Sequence, residues 1–172
     1  MAKIDPWKQI RLVVLDVDGV LTDGRIVLHS DGTESNFFHV RDGAGIKFLL
    51  RAGLEVAFLS GRSSPLVVNR AREAGVKEVI QGAKQKLEPF LELLERKRLS
   101  LKEACYFGDD LVDLPILRRV GVSATVPEAP LEVKRVCKFV SRHAGGQGAV
   151  RELAEKLLRA QGKWAGILRR YV

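Results

Sequence analysis

The apolar positions of the chain gather into short runs of strand length: RLVVLD (11–16), LEVAFLS (54–60), KEVIQG (77–82), ACYFGD (104–109), GVSATV (121–126) and CKFVS (137–141). Most of these runs are nearly continuous rather than alternating, which is the pattern of strands covered on both faces. Between most of them lie amphipathic stretches of helical length: GAGIKFLLRAG (43–53), SPLVVNRAREAG (64–75), KQKLEPFLELLERKR (84–98), DLVDLPILRRVG (110–121), the short APLEVKR (129–135) and GAVRELAEKLLRA (148–160). The alternation predicts an α/β fold, a Rossmann-like parallel sheet with helices on both faces. Gly53, Gly75 and Gly121 stand where helix C-termini favour glycine.

One segment breaks the rhythm. RIVLHSDGTESNFFHV has two β-prone arms around Ser30-Asp31-Gly32-Thr33, which predicts a small hairpin at about 25–38, inserted before the first long helix. No other connection is long enough for a second domain or a lid, so residues 1–172 are expected to form one domain without a cap, ending in a tail at about 161–172.

Composition narrows the setting. With 172 residues, 46% of them hydrophobic, the chain can bury its own core. Its 29 Lys and Arg against 21 Asp and Glu give a formal charge of +8, which points to an anionic partner or substrate. The basic residues are scattered and carry no nucleic-acid-binding signature, so a small anionic substrate is expected and nucleic acid is not. Cys105 and Cys137 lie in apolar stretches without metal-ligand spacing and read as buried thiols in a reducing compartment. The N-terminus has no signal-peptide run and no segment is a membrane span, so the expected location is the cytoplasm.

In a parallel sheet, ligands bind beyond the C-terminal ends of the strands. The first strand ends in Asp16-Val17-Asp18-Gly19, the second long one in Ser60-Gly61-Arg62, the third leads to Lys86, and the fourth into Gly108-Asp109-Asp110-Leu111-Val112-Asp113. Each signal alone has a plainer reading: a polar turn, a helix N-cap, a surface lysine. Their order across successive strand ends does not. Carboxylates crowded at one strand end raise one another's pKa unless a cation neutralises them, which points to a hard metal.

The motifs DVDGVLTDG, FHVRDGAGI, GDDLVDLPIL and HAGGQGAVRELAEKLLRAQGK together resemble the haloacid dehalogenase superfamily. Within its capless subgroup they look like those of the 3-deoxy-D-manno-octulosonate 8-phosphate phosphatases of lipopolysaccharide inner-core synthesis. The resemblance implies a Mg²⁺-dependent phosphatase working through an aspartyl-phosphate. Asp16 would be nucleophile and metal ligand, and Asp18 general acid and base with its carbonyl on the metal. Ser60 and Lys86 would hold the phosphoryl group, Asp109 would complete the metal's ligands, and Asp113 would support Lys86 or the metal shell. His39, Val40, Arg41, Asp42, Gly43, Arg62 and Arg70 would contact the sugar acid. Gln147 stands where relatives often carry a basic residue.

The resemblance further implies a homotetramer whose hairpins roof neighbouring sites, and the apolar arms Ile26, Val27, Leu28, Phe37 and Phe38 fit that use. Two rival readings stay open: a phosphatase for a nine-carbon ulosonate 9-phosphate or another sugar phosphate, and a non-catalytic tetramerisation module.

Overall fold

The computed structural model describes residues 5–172. The first four residues, part of the stretch read for a signal peptide, lie outside it. The chain runs from a short helix α1 (Pro6–Gln9) into β1 (Leu12–Leu15), then a hairpin of β2 (Val27–Leu28) and β3 (Glu34–Ser35). There follow α2 (Val40–Arg51), β4 (Glu55–Leu59), α3 (Pro65–Ala74), β5 (Glu78–Ile80), α4 (Leu87–Lys97) and β6 (Ala104–Phe107). The last elements are α5 (Leu114–Leu117), β7 (Val122–Thr125), α6 (Leu131–Val136), β8 (Phe139–Val140), α7 (Ala149–Ala160) and α8 (Trp164–Leu168).

Six strands form one parallel sheet in the order β5-β4-β1-β6-β7-β8, and β2 pairs antiparallel with β3. Every residue of β1, β6 and β7 is buried. Since side chains of a strand point alternately to its two faces, this burial requires cover on both sides of the sheet, which is why the runs read as continuous rather than alternating. The chain builds outward from β1 through β4 to β5, then crosses back to β6 on the other flank. That reversal leaves a crevice at the C-terminal end of β1, the usual ligand position in such sheets.

Helix α7 is the best example of amphipathic burial: Val150, Leu153, Ala154, Leu157 and Leu158 are fully buried, and burial of each leucine contributes about 1.5–3 kcal/mol. It lies close against α2 because Gly45 has no Cβ; one placed there would come 2.9 Å from Arg151 Cα.

Several boundaries differ from expectation for local reasons. Helix α2 begins at Val40 rather than Gly43, because His39 Nδ1 accepts the Arg41 N–H (3.2 Å) and caps the helix three residues earlier. The stretch 110–121 is a 3-10 turn followed by one turn of helix, since Asp110 and Asp113 fold their carboxylates back onto the backbone of that turn. Gly53 and Gly75 have positive φ, as helix-ending glycines do, but Gly121 does not. It is glycine because a Cβ there would collide with the Lys102 carbonyl. Cys105 is buried as expected, whereas Cys137 is only partly so. The tail contains α8, whose Trp164 packs edge-on to Phe48 with ring centroids 5.9 Å apart.

Candidate active site

The strand ladders extend one residue beyond their ends and set the site residues in place. Asp16 N–H donates to the Phe107 carbonyl (2.9 Å), Ser60 N–H to the Ile80 carbonyl (2.9 Å) and Gly108 N–H to the Ala124 carbonyl (3.1 Å). Asp16, Ser60 and Asp109 therefore leave adjacent strands at one edge of the sheet, and Lys86 stands immediately before α4 in the connection from β5.

At the centre, Lys86 Nζ lies 2.6 Å from Asp16 Oδ2 and 2.9 Å from Asp113 Oδ1. Asp113 is fully buried and accepts four hydrogen bonds. Its Oδ1 takes Lys86 and the Tyr106 hydroxyl (2.6 Å), and its Oδ2 takes the N–H groups of Asp109 (3.0 Å) and Asp110 (3.1 Å). Four donors occupy all the lone-pair positions a carboxylate offers. Asp113 thus anchors Lys86 and the Asp109 backbone, and Gly108 makes room for it, since a Cβ there would strike its carboxyl group.

Carboxylate oxygens of Asp16, Asp109 and Asp113 lie within 4.8 Å of one another. With Asp113 saturated, the donors free for a cation are those of Asp16 and Asp109. Burial, and then the charge on Asp113, push Asp16 up to about 8 and Asp109 up to about 6. Lys86 does not supply enough charge for both, although against the effect of burial its contacts with Asp16 and Asp113 hold its own pKa above the usual value. Hard oxygen donors short of positive charge fit a divalent cation such as Mg²⁺.

The loop after Asp16 is held by contacts that the sequence does not announce. Thr22 Oγ1, fully buried, accepts the N–H groups of Gly19 (3.3 Å) and Gly24 (3.2 Å). Gly19 has φ +84°, and a Cβ there would collide with the Asp109 carboxylate. Gly145 and Gly146 press on the backbone of Gly19 and Thr22, again too closely for a Cβ, and Gly146 N–H donates to the Val20 carbonyl (3.0 Å). A cleft of about 380 Å³ beside this loop is lined by Gly19, Asp109, Glu128 and Gln147.

Arg62 joins the centre from the loop after β4. Its N–H donates to Ser60 Oγ (3.1 Å), its Nη1 lies 3.9 Å from Asp18 Oδ1, and its Nη2 pairs with Glu34 of the hairpin at 2.7 Å. The other residues expected at the sugar acid are placed differently. Asp42 is fully buried and caps α7, accepting from Gly148 N–H (3.1 Å) and Arg151 N–H (2.8 Å). Arg70 is engaged by Glu73 (2.8 Å), by the His39 carbonyl (2.9 Å) and by the Phe38 ring, while buried Gly43 leaves space for its guanidinium. His39 caps α2, and Val40 and Arg41 open that helix; Arg41 is exposed and Val40 largely so.

Tyr106, Thr22 and Glu34 are the residues that sequence reasoning missed. Only Tyr106 left a trace, as a hydroxyl in an otherwise apolar strand.

A family model for haloacid dehalogenase-like hydrolases matches residues 71–153. The chain is 45% identical to the 3-deoxy-D-manno-octulosonate 8-phosphate phosphatase of Escherichia coli K12 over 157 residues, covering 91% of this chain and 83% of that protein. A crystal structure of the Moraxella catarrhalis phosphatase of that name, in complex with magnesium, phosphate and KDO, matches with a TM-score of 0.95 and 37% identity over 97% of this chain and 96% of that one. The cobalt-bound Haemophilus influenzae enzyme matches with a TM-score of 0.89 and 40% identity over 93% and 94%. Such identity is sustained over nearly the whole length, on a site of clustered carboxylates and a buried lysine. The chain therefore belongs to the 3-deoxy-D-manno-octulosonate 8-phosphate phosphatase family of haloacid dehalogenase-like hydrolases and is a phosphoric monoester hydrolase.

Proposed function

We propose that this chain hydrolyses 3-deoxy-D-manno-octulosonate 8-phosphate to the free sugar acid and phosphate, with Mg²⁺, as a step of lipopolysaccharide inner-core synthesis in the cytoplasm. The observation that carries the reading is the Asp16–Lys86–Asp113 chain at the sheet's switch point, with Asp109 beside it.

The chemistry follows from charge. A phosphate monoester dianion repels a carboxylate, so the site must supply positive charge before Asp16 can attack. Lys86 supplies one part from the protein side. When bound by Asp16, Asp109 and the Asp18 carbonyl, Mg²⁺ supplies the rest, screening both the nucleophile and the phosphoryl oxygens. Asp16 then forms a bond to phosphorus as the phosphorus–sugar oxygen bond breaks, and Asp18 gives its proton to the departing oxygen. In the second half, Asp18 takes a proton from water, whose oxygen attacks the aspartyl-phosphate and frees Asp16. Ser60, buried beside Arg62, offers its hydroxyl to the phosphoryl group.

Assembly is part of the proposal. The site is uncapped, and the hairpin beside it exposes Ile26, Leu28 and Phe37. Four copies joined through these hairpins would cover one another's clefts. No helix among the described residues is long and apolar enough to cross a membrane.

The test is phosphate release from a panel of sugar phosphates, with Mg²⁺ and with chelator, by the native protein and by Asp16→Asn. Metal-dependent release from the eight-carbon substrate, lost in the variant, supports the reading. Preference for a nine-carbon ulosonate 9-phosphate would replace the substrate and keep the chemistry. Release by Asp16→Asn at the native rate would remove the covalent mechanism.

A further inference from the structure

We infer that Glu34, on the hairpin, is a positioning residue that holds Arg62 in the cleft and thereby sets how the enzyme discriminates among leaving groups. The inference rests on the phosphatase reading above and adds to it a residue outside the sheet.

Arg62 is bound on two sides. Its main-chain N–H is on Ser60 Oγ, and its guanidinium spans from Glu34 Oε2 (2.7 Å from Nη2) toward Asp18 Oδ1 (3.9 Å from Nη1). Ser64 and Arg62 both hold the Glu34 carboxyl below the usual range. A guanidinium is a rigid planar fork, so fixing one end aims the other. The aimed end faces Asp18, the group that protonates the leaving oxygen. Whatever that oxygen carries must pass beside Arg62. A leaving group with its own carboxylate gains a charged partner there, and one without it gains nothing.

The placement depends on hairpin register. Glu34 stands opposite Leu28 in the β2–β3 pair, and a slip of one residue would turn its side chain to the other face. Without Glu34, the half-exposed Arg62 would regain its rotamer freedom, and the substrate would have to order it on binding.

A double-mutant cycle tests this. Native enzyme, Glu34→Ala, Arg62→Ala and the double variant are compared on 3-deoxy-D-manno-octulosonate 8-phosphate and on an aryl phosphate, with Mg²⁺ present. Glu34→Ala should raise KM for the sugar acid about fivefold or more, by a larger factor than for the aryl phosphate. The same substitution should have no further effect once Arg62 is gone, and Glu34→Asp should recover part of the loss. Glu34→Gln, which keeps the shape and loses the charge, serves if the alanine variant sediments or melts abnormally. Equal losses on both substrates, or losses that add to those of Arg62→Ala, would overturn the role of Glu34 alone. A native enzyme inert toward the sugar acid would overturn the substrate reading and this role together.

Discussion

Lys86 Nζ sits between Asp16 and Asp113, 2.6 Å from one and 2.9 Å from the other, and all three side chains are less than a tenth exposed. One buried cation therefore serves two buried acids. Replacing it with Met removes the one basic side chain among the described residues that is paired with them. Loss of one partner from a buried ionic cluster costs about 3–5 kcal/mol, and loss of a donor to the transferring group lowers kcat about 10²–10³-fold. Urea denaturation and phosphate release of Lys86→Met check the two effects separately.

The shifted acids also predict a link between pH and metal. Asp16 is raised to about 8 and Asp109 to about 6, first by burial and then by Asp113. Groups raised in the folded state contribute stability below their unfolded values, and that contribution is lost as pH climbs through about 6 and then about 8. Metal-free protein should thus melt at lower temperature at about pH 8.5 than at about pH 5.5, and Mg²⁺ should restore more at the higher pH. A Mg²⁺-induced rise in Tm that is larger at the acid end would contradict the sign.

Arg62 and Arg70 should separate when each is changed to Ala. Arg62 stands 3.9 Å from Asp18, so its loss should raise KM for the sugar acid more than for an aryl phosphate. Arg70 is joined to the His39 carbonyl and packed over Phe38, so its loss should lower stability by about 1–3 kcal/mol and affect both substrates alike. Equal kinetic selectivity in the two variants would place both side chains at the substrate.

The hairpin offers a fourth test. Ile26 and Leu28 fall on one face of its first arm and both are exposed, Leu28 by 76%. Changing both to Lys should yield smaller species in sedimentation and raise KM for the sugar phosphate, with part of the aryl phosphatase activity retained. An unchanged KM in a dissociated variant would remove the idea that neighbours roof the cleft.

What the sequence disclosed follows from how local each signal is. The apolar runs, and the residues just past them, identify both the sheet and the positions of Asp16, Ser60, Lys86 and Asp109, because a strand end is a local feature. The capping role of Asp42 was not legible, because its partners Gly148 and Arg151 are more than a hundred residues away. Tyr106 and Thr22 are similar cases, a strand tyrosine and a loop threonine whose roles appear only when their hydroxyls meet Asp113 and the Gly19 backbone. The helix expected over 110–121 failed for the opposite reason. Its acidic residues bond within their own turn, and that local competition outweighs the apolar pattern.

The glycine pair at 145 and 146 gives the molecule a particular order of maturation. It presses on Gly19 and Thr22, main chain against main chain, while Asp42 waits for the amides of residues 148 and 151. The nucleophile's strand leaves the ribosome more than a hundred residues before the glycines that press on its loop. A nascent chain can therefore pair its early strands, but its Asp16 loop has only the local Thr22 hydrogen bonds to brace it until the start of α7 has emerged. Until then its chemical groups lack part of the support that makes them a site.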